Sequence, residues 1–148
     1  MIKTYKTIGF TLEERQFIQD ILDDPRAWDQ EFVDITEKLD NQPDIYVHKA
    51  SGKEMQKIYP FDHLQGLSLC DTSKYPTEIY IRKENWDEGR GGYQNVWGYR
   101  AYVILHEFGH SIGYRHVKCP KAGEPAPVMM QQTKGTSPCY PDPWVKKY

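Results

Sequence analysis

An α+β fold is what the sequence predicts, and three stretches carry that prediction. Thr11 and Glu14 form a capping box ahead of Phe17, Ile18, Ile21 and Leu22, an apolar stripe at helical spacing. Thr77, Ile79 and Ile81 alternate with Glu78, Tyr80 and Arg82, the period of a strand running through Lys83. Asn95 can cap a second helix, in which Ala101, Leu105, Phe108 and Ile112 make a core-facing stripe. The chain has 148 residues, 39% of them hydrophobic, which suits one domain with a sizeable core.

The other elements follow in order. Residues 2–10 alternate weakly and read as a first strand, and Asp23-Asp24-Pro25 ends the first helix. Segments 31–35 and 44–49 read as strands joined by a turn at Asn41-Gln42-Pro43. His48, in the second of these, is expected to be a structural or surface residue. Ser51 and Glu54 form a second capping box that starts a short helix through Lys57. His63 falls in an irregular stretch and is expected in a solvated loop, while 66–70 is a small apolar run that reads as another strand. Gly89, Gly91 and Gly92 form a flexible connection, and no Gly-Lys-Ser/Thr follows to make a phosphate loop. Beyond His116, six prolines and few periodic apolar positions predict a small irregular C-terminal subdomain, 117–148, after an N-terminal one, 1–116.

Charge narrows the function classes. A net charge of −2 without any basic run argues against a nucleic-acid surface. Residues 1–10 lack the apolar core of a signal peptide and no segment is long enough to cross a membrane, so a soluble chain is expected.

The chemistry concentrates in His106-Glu107-Phe108-Gly109-His110, followed by Gly113 and His116. On a helix, His106 and His110 project about 40° apart and one turn along the axis, so both can reach one ion. Glu107 flanks that ion out of line with the ligands, the position of a general base. Six more residues of straight helix would rotate His116 roughly 240° from His110 and carry it about 9 Å away, so the helix must stop first. Gly113 is the stop, because glycine takes a left-handed C-cap without steric penalty. Three imidazoles leave a fourth position open for water. Gly109 inside the helix costs roughly 1 kcal/mol against alanine, which implies a close approach there.

This eleven-residue pattern resembles the metzincin clan of zinc endopeptidases, which implies a methionine in a tight turn downstream. Met129, in Pro127-Val128-Met129-Met130, is the expected Met-turn residue, an apolar floor beneath the imidazoles; Met130 is the alternative. A closer resemblance is to an uncharacterised family of predicted bacterial, often extracytoplasmic, metzincin-like proteins. It rests on Asp24-Pro25-Arg26 with Trp28, Tyr99-Arg100 with Tyr102-Val103, the zinc motif, Cys119-Pro120, Ala126 to Met129 with Gln131-Gln132-Thr133, and Cys139 with Pro141 and Trp144.

The resemblance carries further expectations. It implies a twisted, mostly parallel sheet with a backing helix and an active-site helix. It makes 77–83 the edge strand bordering the cleft, with Thr77, Glu78, Ile79, Tyr80 and Ile81 as substrate-binding residues. It also favours a Cys119–Cys139 disulfide, a single Cys70 and an oxidising, extracytoplasmic or secreted setting; the residues alone leave three reduced thiols equally open. Where some metzincins place a tyrosine two residues after the Met-turn methionine, this chain has Gln131.

The expected function is that of a zinc-dependent metalloendopeptidase, holding one Zn2+ per chain, with Glu107 as base toward a zinc-activated water. Its partner would be a protein or peptide substrate, with the chain a monomer that touches neither nucleic acid nor membrane. Two rivals stand beside it. In a gluzincin-like enzyme Glu124 would be the third ligand, and in a non-catalytic binding or structural module zinc would serve stability alone.

Overall fold

The structure, a computed structural model, describes residues 1–145 except the side chain of His63, and the expectation for that imidazole lies outside them. Five strands form one sheet: β1 (Ile2–Ile8), β2 (Glu31–Asp34), β3 (Ile45–Ala50), β4 (Leu69–Asp71) and β5 (Thr77–Arg82). Their order is β2-β1-β3-β5-β4, parallel except for β4, which runs antiparallel to β5. Helices α1 (Leu12–Asp23), α2 (Gly52–Ile58), α3 (Lys83–Glu88) and α4 (Val96–Ser111) complete an α+β architecture. Both capping boxes form as the sequence predicts, at Thr11–Glu14 and Ser51–Glu54, and Asn95 accepts from the Gly98 N–H at 3.0 Å to start α4. The short α3, which has no side-chain cap, was not legible from periodicity.

One expectation is overturned. The strand over 77–82 is internal, because β5 pairs with β3 on one side and β4 on the other, so its backbone groups are already used. Its side chains do not reach the cleft. Ile79 and Ile81 point into the core against α4, while Glu78 and Tyr80 lie on the far face, where they meet His48. His48 is structural as expected, 3.3 Å from the Glu78 carboxylate and stacked on Tyr80 at 4.3 Å. The edge on this side of the sheet is β4, overlapping the short apolar run after Gly66 that the sequence predicts as a strand.

Core packing sets the rotation of α4. Phe108 is fully buried and meets Tyr5 of β1 and Phe32 of β2 edge to face, with ring centroids 5.4 and 4.8 Å away. His106 and His110 each lie two residues from it, about 200° around the axis, and so face away from the sheet. The helix is buried on more than the expected stripe. Tyr99, Tyr102, Val103 and Ile104 are buried as well, and the segment after α4 folds back over Tyr99 and Tyr102, which hydrogen-bond Thr133, Met130 and Gln132.

Candidate metal centre

Helix α4 ends in a Schellman motif that turns the chain toward the site. Gly113, at φ +99°, donates to the His110 carbonyl at 3.0 Å, and the Tyr114 N–H reaches the Gly109 carbonyl at 3.0 Å. The chain then returns His116 to the helix. One ligand atom from each of His106, His110 and His116 lies within 4.8 Å of the others, and no other such group of histidine, cysteine, aspartate or glutamate occurs among the described residues. Glu124 is absent from this group, which removes it as the third ligand.

The outer ring nitrogens define which lone pairs face inward. His106 Nδ1 donates to the Val128 carbonyl at 2.7 Å, and His110 Nδ1 donates to the Tyr114 carbonyl at 2.8 Å. A carbonyl only accepts, so each Nδ1 carries the proton and each Nε2 presents a bare lone pair. His110 Nε2 and His116 Nε2 stand 3.0 Å apart. Nitrogens bound tetrahedrally at 2.0–2.1 Å would sit about 3.4 Å apart, so a metal ion fits with a shift of a few tenths of an ångström. Burial is the main reason all three imidazoles have lowered pKa values, His106 down to about 3, and it keeps them in the neutral form that binds metal.

Glu107 is 4% exposed, and its carboxyl accepts no hydrogen bond among the described residues. Burial pushes its pKa up to about 8, and a cation at the histidines would draw it back down. It faces a cavity of about 510 Å³ shared with the three histidines, Leu67, Leu69, Cys70, Gln131 and Thr133. Thus the edge β4 and the segment before it, not β5, form the wall opposite α4.

The turn after Pro127 packs closely against α4. Met130 N–H donates to the Pro127 carbonyl at 3.0 Å, closing a tight turn with Met129 at its third position. Met129 is buried, and a Cβ on Gly109 would lie 2.6 Å from its sulfur and 2.6 Å from the Trp28 ring. That is the close approach the helical glycine implied. Met130 is only partly buried, so of the two it is Met129 that packs against α4 at Gly109.

Several supporting residues were not legible as such. Trp28 donates from Nε1 to the Leu105 carbonyl at 2.8 Å and stacks on Tyr114 at 4.4 Å, holding the residue whose carbonyl orients His110. Gln132 is completely buried and bonds the Pro127 and Asp142 carbonyls, the Asp142 N–H and the Tyr93 hydroxyl. Tyr102, one turn before His106, donates to the Met130 carbonyl and accepts from the Gln132 N–H. Only the resemblance had marked these positions, without roles. The Cys119–Cys139 disulfide closes the loop around the Met129 turn, with Cys70 free.

Comparison with curated proteins finds no match. Among solved structures, myroilysin is similar at a TM-score of 0.49 and 13% identity, over 78% of this chain and 49% of that one, so this chain spans about half its length. A family model described as "Protein of unknown function (DUF3152)" matches residues 7–140, and the chain belongs to that family.

Proposed function

We propose that this chain is a zinc-dependent metallopeptidase of the metzincin type. The observation that carries the reading is the convergence of three imidazole nitrogens beside the buried Glu107 carboxyl, which accepts no hydrogen bond among the described residues. His106, His110 and His116 would hold the ion, a three-histidine set that suits zinc with a fourth position open. A bound zinc supplies Lewis-acid charge and lowers the pKa of water to about 7. Glu107 accepts the proton of the attacking water as its oxygen bonds the peptide carbon, then returns that proton to the amine nitrogen as the C–N bond breaks. Edge strand β4 offers backbone groups to an extended peptide, the role expected earlier of β5. The disulfide supports an extracytoplasmic setting. No helix among the described residues is long and apolar enough to cross a membrane.

Digestion of a peptide library by the purified protein, with and without a zinc chelator, tests the proposal. Cleavage should vanish on chelation and return with zinc. Glu107→Gln should keep its zinc and melt close to wild type while losing at least about 10²-fold in turnover. Equal turnover in the two proteins would remove Glu107 from the chemistry, and zinc binding without any cleavage would leave a binding module.

A further inference from the structure

Residues 112–141 hold four cations, Arg115, Lys118, Lys121 and Lys134, against the single carboxylate of Glu124, in a chain whose net charge is −2. Two of them stand at or beside the cavity that holds Glu107. Arg115 lines it and is exposed, and Lys134, also exposed, directly follows Thr133, which lines it as well. Neither makes an ion pair among the described residues, whereas Arg15, Arg26, Lys49, Lys83 and Arg90 all do. Across the cleft, Leu67, Leu69, Cys70 and Thr72 present no charge, and Glu107 is the only carboxylate in the lining.

A peptide threading this cleft passes the uncharged wall at β4 and meets the unpaired Arg115 in the lining, with Lys134 next to the lining residue Thr133. A carboxylate there gains Coulomb attraction at both, and an ammonium group is repelled. We infer that the cleft selects peptides bearing a carboxylate on the stretch that crosses residues 114–116, from an acidic side chain or from a free C-terminus. This inference rests on the peptidase reading and adds the substrate class to it. Because both cations are exposed, the gain is modest, at most about fivefold per pair at low salt, and it shrinks as salt shortens the screening length.

Binding to zinc-loaded Glu107→Gln protein tests this separately from catalysis. The probes are alanine octapeptides with one leucine, carrying aspartate or asparagine at each other position in turn, made with amidated or free C-termini. The expected result is about two- to fivefold tighter binding of the aspartate peptide at one or two adjacent positions, or of the free acid if the C-terminus is the source. Arg115→Gln and Lys134→Gln, each added separately, should shrink that ratio toward one while zinc content stays constant. Equal binding of matched peptides, a ratio that survives both substitutions, or no peptide binding at all would overturn the inference. Cleavage of the same peptides by wild type reports on the other reading. Cleavage without acidic preference keeps the peptidase and sinks this selectivity; acidic preference without cleavage does the reverse.

Discussion

The sheet half of the molecule and the segment after His116 hold the same site by different physics. The sheet half is regular, and its stability is spread over a continuous core running from Tyr5 and Ile18 through Trp86 to Phe108. Residues 117–145 contain only a single 3-10 turn, Gln132–Lys134, and an isolated bridge between Pro125 and Tyr140. There, order rests on discrete fasteners: the disulfide, the Gln132 amide, the Tyr102 hydroxyl and the Met129–Gly109 contact. A regular half is perturbed globally and by degrees. A fastened half loosens locally when one fastener goes, and the three-histidine site spans both.

Trp86→Ala should have the largest effect and tests the first half of that contrast. Trp86 is fully buried, packs edge to face against Phe10 and Phe17, and donates from Nε1 to Glu14 at 2.7 Å. Its truncation should cost about 3–5 kcal/mol, measured by urea unfolding, with far-UV circular dichroism and release of metal from the zinc-loaded protein moving together. Transitions that separate would show that the two halves unfold independently.

Serine at both Cys119 and Cys139 probes the other half. The bridge spans 20 residues, and the chain-entropy estimate for such a loop is about 3 kcal/mol. Faster hydrogen exchange should appear in 117–145 with unchanged protection in β1, β3 and β5, together with weaker zinc binding because Val128 O no longer holds His106 firmly. Uniform loss of protection across the sheet would make the disulfide a global brace and erase the contrast.

The smallest effect is a pH dependence within the sheet half. Burial, the largest influence on Glu14, raises its pKa, but hydrogen bonds from Lys49, the Thr11 N–H and Trp86, with the Lys49 charge, outweigh it and leave the pKa lowered. A depressed folded pKa stabilises above the unfolded value of 4.5, and that contribution disappears as pH falls through the folded one. Glu14→Gln should therefore cost about 1–2 kcal/mol near neutral pH, with the gap to wild type closing below pH 4.5. Urea midpoints of both proteins at several pH values give the gap directly. A constant gap would assign the stabilisation to packing instead of the carboxylate.

What the sequence by itself determined are the features that local physics controls. A capping box needs two residues three apart, two ligands on one helical face need a spacing of four, and a helix stop needs one glycine; each was legible at 11–14, 51–54, 106–110 and 113. Only the resemblance singled out Met129, which packs against Gly109, and the Cys119–Cys139 pairing, because nothing local relates those residues to the helix. Tertiary structure alone decided which strand is the edge, since strand pairing is non-local and an alternating hexamer reads the same inside a sheet as at its border. It also decided how His106 and His110 are oriented, through carbonyls of Val128 and Tyr114 that no side-chain pattern encodes, because every residue carries the same carbonyl and only the fold selects which one an imidazole meets.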